Sequence, residues 1–382
     1  MKKIGIITIC RCNNYGAELQ AFALQRKLTL IGYDAEVIDY LFYKHPKHLK
    51  ECASLPDYKG YPWDKVIREI LLPWIEKCKS LKHRAAIKSR EENFKLFHKK
   101  NTRFSMQYRR YSELYKNPPV YDAYCVGSDQ VWNPWNFTSL NPYFLTFAPE
   151  GAVKLSYASS FGVSEIPVIA RNFFHSRLNN LNHISVREKT GVSIVKGLVG
   201  RDAKHVADPT LLLTADEWEN VLSEKKVPKG KYILLYVLKD SPYITETALR
   251  VAKEKELKIV RICKGAFRQD SVDSKIINIM DAGPAEFLGL FKSAEMVLTN
   301  SFHGTVFSIL FNKDFYTIVD RSVNNNSRQI DLLATLGIGR IKYSDEVFDE
   351  VKSLDWVTIN KNVAEFRQSS IDYLEKAINN EK

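Results

Sequence analysis

The 382-residue chain has no apolar run near the roughly 18 residues that a membrane span needs. Its longest candidates, such as 232–238, have the length of buried strands, so nothing in it is expected to cross a bilayer. The start, Met1-Lys2-Lys3 followed by Ile4 to Cys10, imitates a secretory leader. Arg11 ends that stretch early and no small-residue cleavage site follows, so it reads as a first strand. Cysteine is sparse: six residues, at 10, 12, 52, 78, 125 and 263, show no disulfide spacing, and the C-x-C of Cys10 and Cys12 has no second Cys/His cluster near it. The expectation is a cytoplasmic protein with buried thiols and no metal. Internal repeats and low-complexity tracts are missing too. Only one glycine stands in the first strand-to-helix turn, which argues against a dinucleotide site.

What is present is enough apolar material for two cores. Hydrophobic residues make up 45% of the chain and charged residues 26%, with 20 Phe and 19 Tyr, so chain entropy can be offset and the length suggests two domains. Acidic residues are outnumbered, 44 against 56 Lys and Arg, for a formal charge of +12. The excess is concentrated at 77–110, where twelve Lys or Arg face only Glu91 and Glu92, a net of ten positive charges. A solvated helical face explains such a run; so would peripheral contact with the inner membrane or a lipid-linked diphosphate. With no nucleic-acid module beside it, no nucleic-acid partner is expected.

Strand and helix patterns alternate from the first residue, the mark of βα units around mostly parallel sheets. Strands are expected at Lys3–Ile9, Ala35–Asp39, Tyr121–Val126, Lys154–Ala158 and His183–Val186. A helical, basic insertion is expected at about 62–110. The break at Lys226-Val227-Pro228-Lys229-Gly230 separates a first Rossmann-like domain, 1–225, from a second, 226–382, with strands near Tyr232, Lys258, Glu295 and Phe315. The last helix, Val363 to Ile378, would pack back on the first domain.

Open α/β sheets bind ligands beyond the carboxyl ends of their strands, and four loops there carry polar residues. Asn13 to Ala17 precedes a helix whose free amides suit an anion, unless Asn14 merely caps it. Gly127 to Pro134 offers Asp129 and Gln130 beside Trp132, the ingredients of a sugar-binding wall. Arg187, at the end of a strand, has a planar fork for carboxylate or phosphate, or pairs with Glu188 on the surface. Thr299 to Thr305 puts His303 at a helix start. There the dipole favours the neutral ring, and a bound anion would restore the proton affinity of a general acid.

These blocks, Asn14 to Leu24, Gly127 to Asn133, Val186 to Lys189, Asp208 to Leu213 and Ser301 to Thr305, with Ser327 to Ile330, resemble the polysaccharide pyruvyl transferase family in kind, order and spacing. The resemblance implies two Rossmann-like domains in a GT-B-like arrangement, phosphoenolpyruvate in the interdomain cleft, and no cofactor or metal. It also implies His303 as the catalytic residue and Arg187, Arg328, Ser301, Gly304 and Lys264 around the donor. Asn14, Tyr15, Asp129, Gln130 and Trp132 then become the acceptor side, facing a sugar or a lipid-linked oligosaccharide. One departure stands out: some members carry Arg at the position of Ser301, so Lys264, Arg321 or Arg328 would have to supply that charge. A glycosyltransferase using a nucleotide sugar and a non-catalytic sugar-phosphate-binding protein are the alternative readings.

Overall fold

The computed structural model describes residues 1–43, 45, 56–62, 64, 65, 67, 83–263, 275–321, 326–346, 348 and 353–381. The chain forms two compact units: residues 1–71, 99–213 and 364–382 make the first, and 72–98 with 214–363 the second. The basic helical stretch read as an insertion in the first domain is thus divided between them. Its longest described element is a helix, Arg84–Asn101, that buries Arg90, Phe94, Phe97 and His98 while Lys88, Lys95, Lys99 and Lys100 are exposed, and its end holds a strand, Phe104–Tyr108.

In the first unit five strands pair in the order β3-β2-β1-β4-β5, with β1 Lys3–Ile7, β2 Asp34–Tyr40, β3 Phe104–Tyr108, β4 Ala123–Val126 and β5 Val153–Ser156. All these pairs are parallel, so both faces of the central strands must be covered, and β1 and β4 are accordingly buried almost throughout while the edge strand β3 is not. Alternate residues feed opposite cores. Ile4, Ile6, Ala123 and Cys125 join Leu24 and Leu28 of the helix Tyr15–Leu30, together with Leu374, Ala377 and Ile378 of the helix Trp356–Ile378. Ile7, Tyr124 and Val126 face a second core rich in aromatics. The expected strand at His183–Val186 shortens to β6, Ser185–Val186, which pairs with β7, Lys204–His205, in a small separate sheet.

The second unit holds β8 Tyr232–Tyr236, β9 Lys258–Ile262, β10 Ile276–Ile279, β11 Met296–Thr299, β12 Asp314–Val319 and β13 Ile341–Tyr343, in the parallel order β10-β9-β8-β11-β12-β13. Ile233 and Leu235 pack with Ile244, Ala248 and Val251 of the helix Pro242–Glu254 on one face. On the other, Tyr236 meets Phe287 edge to face at 5.0 Å and Trp218 meets Phe307 at 5.2 Å. Each such buried side chain contributes roughly 1.5–3 kcal/mol. Both sheets are doubly wound: strand order reverses between β1 and β4 in the first unit and between β8 and β11 in the second.

Candidate active site

The crevice beyond the carboxyl ends of two strands that wind in opposite directions is where such sheets leave room for a ligand. In the second unit this point lies beyond β8 and β11, and the segment leaving β11 is 299–305. Its shape is fixed by hydrogen bonds. Thr299 Oγ1 donates to the Tyr236 carbonyl at 2.6 Å and accepts from the Ser301 amide at 3.0 Å. The Asn300 side chain spans the gap to the β8 loop, accepting from the Leu238 amide and donating to the Lys239 carbonyl, both at 2.7 Å. Thr305 Oγ1 bonds Thr317 Oγ1 of β12 at 2.7 Å. The loop is therefore tied to both neighbouring strands before any ligand arrives, which is the preorganisation a catalytic group needs.

His303 is the second residue of the helix Phe302–Leu310 and is 9% exposed, with the Phe302 ring edge-on at 5.3 Å. The free amides and positive end of that helix favour an anion near the imidazole. Ser301 and Gly304 shape the start of this helix. The Ser301 hydroxyl accepts from the Gly304 amide as the helix cap, and a Cβ on Gly304 would stand 2.2 Å from Thr299 Oγ1. The Ser301 hydroxyl thus accepts a bond within the helix, and its own O–H is what it would have to offer a donor substrate.

Of the basic residues that could supply the charge missing at Ser301, Lys264 lies outside the described residues. Arg321 is held by Asp345 and by Glu346, at 3.2 and 2.7 Å. Arg328 stands in the first turn of the helix Ser327–Leu336 and is partly buried. Gln329 beside it donates to the Asn300 carbonyl at 3.4 Å. Lys239, exposed and 3.5 Å from Asp320, is a further cation on the β8 loop. Asn300 and Lys239 were not anticipated; an asparagine directly after a buried strand was the available signal for the first.

In the first unit the loops after β1 and β4 flank the other reversal point. Arg11, Asn13 and Asp129 all take left-handed backbone angles there, with φ of 55°, 52° and 71°, a conformation that ordinary side chains adopt at a cost. Asn14 accepts from the Gly16 amide at 3.1 Å and caps the helix Tyr15–Leu30. Asp129 Oδ1 accepts from the Gln130 amide at 2.8 Å, and Gln130 Oε1 from Asn133 Nδ2 at 2.7 Å; both residues are partly exposed.

Three expectations are corrected in this unit. Trp132 has no face for a sugar: it is 0% exposed, stacked on Phe144 at 5.3 Å, with its indole N–H donated to the Tyr143 carbonyl. Tyr15 is likewise fully buried. Arg187 is neither a surface partner of Glu188 nor an open clamp. Its side chain is 1% exposed, 2.9 Å from Asp208, and 3.9 Å from both Asp129 and Glu188. Burial pushes the guanidinium pKa down, and the Asp208, Glu188 and Asp129 carboxylates more than offset it, leaving it above its usual value. With three carboxylates around it, an incoming anion would meet repulsion. Its geometry suits it to hold the Asp129 loop. Asp208, which also accepts from Ser128 Oγ at 3.0 Å and from Thr210, is a central residue the sequence reading passed over as part of an apolar block.

Among the described residues no group of His, Cys, Asp or Glu could hold a metal ion, and no helix is long and apolar enough to cross a membrane. A family model described as polysaccharide pyruvyl transferase matches residues 14–321. Comparison with curated proteins finds no match. Among solved structures, Arabidopsis thaliana UGT89C1 is similar at 12% identity over 99% of this chain and 98% of its own, with a TM-score of 0.48. The UDP-N-acetylglucosamine 2-epimerase of Rickettsia bellii is similar at 10% identity over 98% of each chain, TM-score 0.48. The UDP-GlcNAc 2-epimerase of Methanocaldococcus jannaschii is similar at 13% identity over 95% and 92%, TM-score 0.45.

Proposed function

Because the chain belongs to the polysaccharide pyruvyl transferase family, we propose that it moves the pyruvyl group of phosphoenolpyruvate onto two hydroxyls of a sugar in a cell-envelope polysaccharide precursor. The observation that carries this reading is His303, held by a hydrogen-bonded loop in the first turn of a helix at the point where the second sheet reverses.

In the proposed reaction the carbon–carbon double bond of the donor takes a proton from His303 at the methylene carbon, which becomes a methyl group. The adjoining carbon, now cationic, is attacked by one sugar hydroxyl, which gives up its proton. The bond from that carbon to the phosphate oxygen then breaks, inorganic phosphate leaves, and a second hydroxyl closes the ketal with loss of its own proton. Atoms and charge balance without a cofactor. The donor's carboxylate and phosphate would lie against the helix amides, Arg328 and Lys239, where charge that shifts during reaction is stabilised. Asn14, Asp129 and Gln130 are the residues we assign to the acceptor hydroxyls, with Arg187 as a positioning residue behind Asp129. The exposed lysines of the helix Arg84–Asn101 would suit a lipid-linked, anionic acceptor.

The test is to incubate the full chain with phosphoenolpyruvate and a panel of sugar acceptors, measuring phosphate release and searching by mass spectrometry for the ketal. Release of a nucleotide from a nucleotide sugar, with phosphoenolpyruvate untouched, would reject the proposal.

A further inference from the structure

The first unit carries a second polar depression, built from residues that the proposed transfer does not use. It is a groove of about 340 Å³, at the small end of the roughly 300–1,000 Å³ of ligand pockets and suited to one sugar unit. One wall is the helix Tyr111–Lys116. Its Tyr111 and Tyr115, one turn apart, stack at 4.1 Å with 21° between the rings, and both are partly exposed. Asn141, Thr146, Lys154, Arg177 and Asn180 complete the lining.

These groups are held in place by a chain of bonds anchored on Asp57. Its carboxylate accepts from the Ser139 hydroxyl at 2.7 Å, the Leu140 amide at 2.6 Å and Asn141 Nδ2 at 2.7 Å. Asn141 Oδ1 in turn accepts from Arg177 Nε at 2.7 Å, and the Asn141 carbonyl accepts from Thr146 Oγ1, which is bonded to the Tyr115 hydroxyl. Arg177 is therefore oriented through its Nε and answers Asp57 in charge. Lys154, the second residue of β5, uses its backbone amide to bond Asn182. Its ammonium makes no hydrogen bond or ion pair among the described residues, so a positive charge without a carboxylate partner lines the groove.

Amides, a hydroxyl and tyrosine side chains are the chemistry that recognises a sugar, and Lys154, the lining cation without a carboxylate partner, adds a demand for negative charge. We infer that this groove binds a saccharide unit bearing an anionic group, with its ring beside Tyr111 and its carboxylate or phosphate at Lys154. The site is read by binding alone, so it stands or falls separately from the pyruvyl transfer proposed above.

The experiment is isothermal titration of the full chain with a glucuronic acid-containing oligosaccharide, glucose 6-phosphate, a neutral oligosaccharide of equal length, and inorganic phosphate. The acidic oligosaccharide or the sugar phosphate should bind at least about tenfold tighter than the neutral oligosaccharide, and which of the two does so identifies the anion. Lys154→Gln should weaken that binding about tenfold, the scale of one charge-assisted hydrogen bond, while Lys154→Arg keeps it. Tyr111→Ala should weaken the sugars more than inorganic phosphate. Equal affinity for acidic and neutral sugars, phosphate binding as tight as the best sugar, no binding of either anionic sugar, or a Lys154→Gln variant that binds unchanged would overturn the inference.

Discussion

Gly304→Ala tests whether the His303 loop is held from beneath, by packing, or from above, by a ligand. The residue sits inside a helix at an ordinary backbone angle, so propensity alone predicts that alanine would stabilise by about 1 kcal/mol. The surroundings predict the opposite. An added Cβ would stand 2.2 Å from Thr299 Oγ1, 3.0 Å from Thr299 Cβ and 3.1 Å from Thr299 Cγ2. Thr299 must then turn away, and it releases its bonds to the Tyr236 carbonyl and the Ser301 amide. Two hydrogen bonds at about 1 kcal/mol each and about 1–3 kcal/mol of overpacking, less the gain in propensity, leave a net loss of about 2–4 kcal/mol. Urea unfolding followed by hydrogen exchange of peptides covering 296–310 would measure it. In a Thr299→Ala background the same alanine should cost much less, giving a coupling of about 2 kcal/mol. An equal cost in both backgrounds, or a Gly304→Ala variant that unfolds normally and has lost only turnover, would refute the reasoning and return the glycine to the ligand.

Other outcomes follow from the same coordinates. Arg187→Met leaves Asp208 and Glu188 buried without their cation, and should destabilise the first unit by about 3–5 kcal/mol in chemical denaturation. That deficit should shrink in strong acid, because the cost of a buried carboxylate left without its cation is present only while it carries charge. Trp132→Ala should cost about 3–5 kcal/mol; a stable variant with weaker acceptor binding would instead restore the sugar-wall reading. Leu374→Ala, in the core shared with Ile4 and Ile6, should cost about 2–5 kcal/mol, and no change in the melting temperature would mean that the last helix is not integral to that core.

The strands legible from sequence were those whose residues are mostly buried, with apolar side chains at most of the core-facing positions: β1, β2, β4, β5, β8, β9, β11 and β12. The ones that escaped, β3, β7, β10 and β13, all lie at sheet edges. An edge strand is half exposed, and its side chains need not be apolar; in β3 only Tyr108 is buried, and the strand follows a basic helix that masked it. At the candidate sites residue type was legible and burial was not. Trp132, Tyr15 and Arg187 are the kinds of residue that bind sugars and anions, and equally the kinds that fill a core or anchor a buried ion network. Which role each takes is decided by neighbours remote in sequence, such as Phe144 for Trp132 and Asp208 for Arg187. The placement of His303 in the first turn of a helix was legible because its context is local: a buried strand, a capping serine and a tight glycine within a few residues.

Under the proposed reaction His303 delivers a proton to the donor's methylene carbon. The most direct measurement of this transfer is the reaction run in deuterated water, with the ketal's methyl group examined by mass spectrometry and the His303→Gln variant run alongside. The account predicts one solvent deuterium in that methyl group and a rate at least about a hundredfold lower in the variant. A product formed without deuterium, or a variant that turns over as fast as the parent, would contradict it.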